Sequence, residues 1–177
     1  MFQSVTPRTA GFNTADLTLL SEVGQMLIII LMLIGGSPGS TAGGMKTTTL
    51  AVLVSSALSV FRKKEHTHFF GRRIPDDTIK NAATIFLMYI VLFLVGGMVI
   101  SSTEDIPLMT ALFETASAIG TVGLSLGITP DLGLVSHIIL ICLMFLGRVG
   151  GLTLIFATLS EKKLNGSKYP QEKITVG

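Results

Sequence analysis

Residues 120–125, Gly-Thr-Val-Gly-Leu-Ser, form the stretch that decides how the rest of the chain folds. They follow a short apolar segment, Leu108 to Ile119, which is too brief to cross a bilayer as a helix. Irregular backbone can lie at membrane depth only where protein or water satisfies its N–H and C=O groups. A re-entrant pore helix followed by a loop that lines an ion pathway therefore fits this order.

Three long apolar runs surround this loop and indicate a membrane protein. The 177 residues are 49% hydrophobic and only 14% charged, whereas soluble domains carry about 25% charged residues. Ala82 to Ile100 is uncharged and long enough to span, and Leu132 to Ser160 carries one charge, Arg148. The third run, Val23 to Phe61, is interrupted over residues 35–44 by GGSPGSTAGG, where glycine and proline exclude a regular helix. We therefore expect a broken transmembrane helix there.

The distribution of charge gives the orientation and excludes nucleic acid as a partner. The net charge of +2 is too balanced for a nucleic-acid-binding protein, and two tyrosines with no tryptophan give no platform for stacking bases. Ten of the 13 Lys and Arg residues lie in the 62–81 linker and the tail, whereas the connector 101–131 has acids and no bases. Because basic residues stay on the cytoplasmic side, the sequence predicts a multi-pass plasma-membrane protein whose linker and C-terminus are cytoplasmic.

The chain also contains an internal repeat. A shift of 112 residues places residues 9–41 on residues 121–153 without a gap, and ten of the 33 positions are identical. The repeating unit reads as helix, pore helix, filter-like loop and second helix. The first copy begins in its pore helix at Met1, so we expect further repeats of the same protein to precede it.

The repeat divides the chain into four predicted parts. Residues 1–61 hold a pore loop and an interrupted second helix, and residues 62–81 form a basic cytoplasmic linker. Residues 82–161 form one complete repeat, and residues 162–177 form a cytoplasmic tail. The predicted fold is an all-α membrane protein built from helix, pore-loop, helix repeats.

Four motifs carry a resemblance to a known family. They are TPRTAGFNT, IGGSPGSTAGGMKTTT, TASAIGTVGLS and FLGRVGGLT. Together they resemble the Trk/Ktr/HKT superfamily of cation transporters, most closely the membrane subunit of Ktr-type bacterial potassium uptake systems. The resemblance implies four repeats around a central pore, of which this chain supplies the second half of the third and all of the fourth.

The resemblance also implies a cargo and partners. The cargo is K⁺, with Na⁺ as a second candidate, and no covalent cofactor or enzymatic step is involved. The protein would form a homodimer in the lipid bilayer and bind a cytoplasmic nucleotide-binding regulatory subunit. The basic linker and tail are the surfaces that could meet that subunit or anionic lipid.

Two quadrants of an ion filter follow from the resemblance. Backbone carbonyls can replace the water shell of K⁺, and glycine allows the backbone that presents them. The alternative is a tight turn between packed helices. The implied filter residues, which would hold K⁺, are Thr9, Ala10, Gly11, Phe12, Thr121, Val122, Gly123 and Leu124.

The interrupted helix and one arginine are the candidate gate. By resemblance the loop obstructs the pore below the filter and moves to let ions pass; a passive kink is the alternative. A phosphate-binding loop is excluded on spacing, because Met45 stands where that motif requires lysine. Arg148 aligns with Gly36 in the repeat and is either an electrostatic barrier or half of a structural salt bridge. The candidate gate residues are Gly35, Gly36, Ser37, Pro38, Gly39, Ser40, Thr41, Ala42, Gly43, Gly44 and Arg148.

The sequence leaves two functions to compare. The first is a pore-forming part of a potassium transporter. The second is a truncated, non-transporting membrane polypeptide that only assembles or docks with partners. Two filter quadrants of four would not close a pore alone, so the upstream sequence discriminates the two.

Overall fold

The computed structural model describes residues 2–63, 67–69 and 72–149. The tail 162–177, the end of the predicted 82–161 repeat and part of the linker lie outside the described residues. Six α-helices and one β-hairpin make up the described chain. They are α1 (Phe2–Val5), α2 (Glu22–Leu33), α3 (Thr47–Phe61), β1 (His68–Phe69), β2 (Arg72–Arg73), α4 (Asp76–Glu104), α5 (Leu108–Ile119) and α6 (Leu134–Val149).

Helix α5 lies at the centre of the molecule. It packs against α2, α4 and α6, and its last seven residues, 113–119, are buried together with Ala111. Phe113 and Ile119 of this helix are fully buried, together with Ile29, Met32 and Ile100 from its neighbours. The bounds of α5 are those predicted from the sequence. The loop that follows it, residues 120–125, buries Gly120, Val122 and Leu124 against the packed helices and leaves Gly123 exposed.

Helix α4 is the one helix in the described part of the chain that is long and apolar enough to cross a membrane. Its 29 residues begin at Asp76, six residues before the predicted Ala82. Pro75 precedes the helix and Asp76 and Asp77 occupy its first turn, where acids interact favourably with the helix dipole. Helices α2, α3, α5 and α6 are apolar but shorter, with 10–17 residues each.

The linker contains a short hairpin that the all-α prediction lacked. Strands β1 and β2 pair antiparallel, with His68 opposite Arg73 and Phe69 opposite Arg72. A hydrogen bond of 3.0 Å joins the buried hydroxyls of Ser59 and Thr67, so the hairpin is attached to the end of α3. Two residues per strand are too few for a sequence pattern to indicate.

The 112-residue spacing of the sequence repeat recurs in the positions of the elements. A 3-10 turn over Leu17–Leu19 precedes α2, and a second over Thr129–Asp131 precedes α6. Helix α2 starts at Glu22 and α6 at Leu134, which is the same shift. The two copies then differ: α2 ends at Leu33, whereas α6 continues through Gly147 to Val149.

Candidate functional site

The two candidate filter loops have the same unusual backbone. Thr9 and Thr121 have φ values of 64° and 49°, and Gly11 and Gly123 have φ values of 71° and 90°. A left-handed conformation is disfavoured for threonine because of its Cβ, and it is routine for glycine. The two copies therefore share the same backbone conformation at corresponding positions, including the one that threonine rarely adopts.

The two loops lie against each other. A Cβ atom on Gly11 would overlap the carbonyl oxygen of Val122, so only glycine fits at this approach. The hydroxyl of Thr9 also donates to the carbonyl of Gly120 at 3.4 Å. Val122 and Leu124 turn into the hydrophobic core, whereas Phe12 is 71% exposed. The structure thus brings the two predicted loops together through their backbones.

The candidate gate loop is held at its base and exposed at its tip. The N–H of Gly35 donates to the carbonyl of Met45 at 2.7 Å, and the N–H of Met45 donates to the carbonyl of Leu33 at 3.1 Å. Gly35, Gly43 and Gly44 are buried, while residues 37–41 are exposed. The loop of residues 35–44 between α2 and α3, called the flap below, is therefore fixed at its two ends.

The flap touches the second candidate filter loop. The N–H of Gly43 donates to the hydroxyl of Thr121 at 3.2 Å. A Cβ on Gly43 would overlap the same hydroxyl, and a Cβ on Gly35 would overlap the carbonyl oxygen of Gly43. These glycines let the flap approach the loop after α5 at backbone distance.

Two cations hold three consecutive carbonyls of the flap. The guanidinium of Arg148 donates to Thr41, while the ammonium of Lys46 donates to Ser40 at 3.0 Å and to Ala42 at 2.7 Å. Within residues 2–63, 67–69 and 72–149, Arg148 has no acidic partner. The Ser40 hydroxyl accepts from the N–H of Ala42 at 3.1 Å.

Two cavities adjoin the loops. One of about 490 Å³ lies beside Thr121 to Ser125 and extends to Arg148, and one of about 450 Å³ lies between residues 13–18 and 125–127. Asp16 lines the second cavity. The Thr18 hydroxyl, and then the Thr18 N–H, donate to this carboxylate and hold the pKa of Asp16 below its usual value. The Asp16 carboxylate therefore stays charged to lower pH than an ordinary aspartate. Its hydrogen bonds from Thr18 are lost only as the pH falls through the lowered pKa.

A buried carboxylate stands behind the second loop. Glu114, on α5, is 4% exposed and accepts hydrogen bonds from Ser125, Leu126 and Thr129. Sequence reasoning treated it only as one acid of the 101–131 connector. The signal that could have singled it out is that Glu114 is the one charged residue in the apolar segment of α5.

The family profile for TrkH, described as a cation transport protein, matches residues 1–167. This chain belongs to the TrkH family. The match confirms the resemblance stated from the four sequence motifs. It also makes the chain a member of a family of cation transporters and not of an enzyme family.

Curated proteins agree with this membership. The chain is 43% identical over 182 residues to the potassium/sodium uptake protein NtpJ of Enterococcus hirae. That alignment covers 99% of this chain and 40% of that protein. It is 38% identical to the Ktr system potassium uptake protein B of Bacillus subtilis, and the alignment covers 99% of this chain and 39% of that protein. The chain thus spans about 40% of the length of these relatives.

A solved structure has the same fold. The crystal structure of the potassium transporter TrkH from Vibrio parahaemolyticus superposes with a TM-score of 0.74 at 23% sequence identity. The superposition covers 90% of this chain and 36% of that one. The predicted helical architecture is therefore the TrkH fold.

Proposed function

We propose that this chain supplies two of the filter loops of a potassium uptake transporter. One observation carries the proposal: Thr9 with Gly11, and Thr121 with Gly123, repeat the same left-handed backbone at equivalent positions. The direct approach of Gly11 to the Val122 carbonyl supports placing both loops around one path. The residues proposed to contact the ion are 9–12 and 121–124.

The proposed transport step uses oxygen atoms and no covalent chemistry. A K⁺ ion exchanges its water shell for backbone carbonyls, which are strong enough to replace water without trapping the ion. The printed name of the Enterococcus hirae relative includes sodium as well as potassium. Na⁺ is therefore the competing cation to test against K⁺.

The flap of residues 35–44 is the proposed gate. Support comes from the contact of Gly43 with Thr121 and from the bonds that Arg148 and Lys46 make to the flap carbonyls. Opening would require the flap to leave Thr121 and at least some of these carbonyls to change partners. A small number of polar contacts therefore hold the gate closed and determine how often it opens.

The proposed assembly is larger than this chain. The remaining filter quadrants come from preceding repeats of the same protein, and two such proteins form a homodimer in the plasma membrane. The linker 62–81 and the C-terminal tail face the cytoplasm, where a nucleotide-binding subunit regulates uptake. The basic side chains of β2, Arg72 and Arg73, are exposed and suit such a contact.

Two glycines provide a matched test of the filter. Gly123 and Gly127 have φ values of 90° and 93°, and a Cβ on either would meet open space. Ser replacement therefore costs similar backbone strain at both positions, but only Gly123 belongs to the proposed filter. In the complete transporter, Gly123→Ser should reduce the ratio of K⁺ to Na⁺ uptake by more than Gly127→Ser, which strains only the segment after the filter loop.

Uptake of each cation into potassium-depleted cells, at matched expression, measures the ratio. An unchanged ratio in Gly123→Ser would remove Gly123 from the filter. Equal losses in both variants would assign the effect to strain in the connection between α5 and α6.

A further inference from the structure

Glu114 stands apart from the proposed filter and gate residues. It lies on the buried face of α5, and its side chain is 4% exposed. A buried carboxylate is costly unless hydrogen bonds replace its lost water. The partners of this carboxylate therefore indicate what it holds.

Each oxygen of the Glu114 carboxylate accepts from the segment that follows the second filter loop. Oε1 accepts from the Ser125 hydroxyl at 2.7 Å and from the Leu126 N–H at 2.9 Å, and Oε2 accepts from the Thr129 hydroxyl at 2.9 Å. The Ser125 hydroxyl in turn accepts from the N–H of Gly127 at 2.8 Å. The carboxylate thus joins a pore helix to residues 125–129 through charge-assisted bonds, which are stronger than neutral ones.

The first copy of the repeat has no such clasp. The position equivalent to Glu114 is Phe2, which is exposed. There the segment after the filter loop is held by Gln3, whose amide donates to Asn13 at 3.2 Å and to Thr14 at 3.3 Å. The fourth-repeat loop is therefore held by a buried carboxylate, and the third-repeat loop by a neutral amide that is only partly buried.

We infer that Glu114 is a positioning residue that fixes the spacing of the carbonyls of residues 121–124 and so sets the preference for K⁺ over Na⁺. This inference rests on the proposed function. Ser125 directly follows Leu124, so a shift of the clasped segment moves the filter backbone. A loosened loop can contract around the smaller Na⁺ ion, which reduces discrimination between the two cations.

A second carboxylate offers a matched control. Glu104, at the end of α4, accepts from the Gly133 N–H at 2.8 Å and from the Ser136 hydroxyl at 2.5 Å. It therefore makes the same kinds of bond as Glu114, but it joins α4 to the start of α6 and does not touch residues 121–125. The isosteric changes Glu114→Gln and Glu104→Gln each replace a hydrogen-bonded carboxylate by an amide, at a buried site and at a half-buried site.

The experiment measures K⁺ and Na⁺ uptake by the complete transporter in cells and the melting temperature of the purified protein. Glu114→Gln should lower the K⁺ to Na⁺ uptake ratio by about tenfold, equivalent to about 1.4 kcal/mol. Glu104→Gln should retain the wild-type ratio. Glu114→Asp, which keeps the charge on a shorter side chain, should give an intermediate ratio and serves if the glutamine variant fails to fold.

The outcomes separate this inference from the proposed function. Wild-type uptake with an unchanged ratio in Glu114→Gln and Glu114→Asp would overturn the positioning role alone. So would a lowered melting temperature and lower uptake of both ions in equal proportion, since that is a structural effect. A wild-type transporter that takes up no cation would refute the proposed function and this inference with it.

Discussion

At the scale of single residues, Arg148 offers the sharpest test of the gate. In the proposed path its positive charge repels an arriving cation; at an effective dielectric of ~20, two charges ~8 Å apart interact by about 2 kcal/mol. Its bond to Thr41 also holds the flap. We expect Arg148→Ala to raise maximal K⁺ uptake by up to about tenfold, since tenfold corresponds to about 1.4 kcal/mol.

Arg148→Lys keeps the charge and should stay near the wild-type uptake rate. Maximal uptake and the melting temperature in detergent are to be measured for both variants. If Arg148 instead neutralises a buried acid elsewhere in the transporter, its removal costs about 3–5 kcal/mol. A slower and less stable Arg148→Ala protein would therefore contradict the barrier.

Individual side chains were the hardest feature to predict. The sequence alignment placed Arg148 at the depth of the interrupted loop, and the structure places its guanidinium on Thr41. Lys46 had no assigned role, because a lysine can extend to the interface or turn back, and only the folded flap offers it the carbonyls of Ser40 and Ala42. Glu114 was missed because its donors come from a loop whose path depends on tertiary packing.

At the scale of elements, the flap itself can be shortened. Its exposed tip, residues 37–40, makes few contacts outside the flap, whereas its base is pinned between α2 and α3. Deleting these four residues should raise K⁺ uptake and make it less dependent on the proposed regulatory subunit. Uptake measured with and without that subunit is the test, and lower uptake by a well-folded deletion would favour a passive kink.

Helix packing gives a prediction that does not depend on transport. A Cβ on Gly147 of α6 would overlap the carbonyl of Ile119 at the end of α5, whereas a Cβ on Gly24 of α2 would meet its nearest atoms at 3.5 Å. Gly147→Ala should therefore lower the free energy of unfolding by about 1–3 kcal/mol, as overpacking does. Gly24→Ala should be neutral or stabilising, because alanine favours a helix by about 0.5–1 kcal/mol.

Thermal melting of both variants in the same detergent measures the difference. Equal melting temperatures would mean that α5 and α6 can separate without cost.

Helices were well predicted where the length of an apolar run determines them: α5 has its predicted bounds. The start of α4 and the hairpin were not, because the first depends on Pro75 and the acids that follow it and the second on contact with α3.

At the scale of the whole molecule, the charge distribution predicts which end faces the cell interior. Cys142 is the single cysteine of these 177 residues, so Cys142→Ser, with any cysteine of the preceding repeats also replaced, provides a background for labelling. On that background, Asp131→Cys lies at an exposed site in the acidic connector and Arg72→Cys at an exposed site in the hairpin. An impermeant thiol reagent added to intact cells should label the first and not the second. Labelling of Arg72→Cys alone would invert the topology.

The difference between the two copies at their second helices has a consequence for the electrical behaviour of the pore. The first copy is broken after Leu33, whereas the second is still helical at the equivalent depth. A barrier built on one side of a ring is a single switch with two positions, not several that must act in concert. In the proposed pore, with the preceding repeats helical at this depth like the second copy, currents would then step between closed and one fully conducting level, without the partial levels that independent gates in each quadrant would produce.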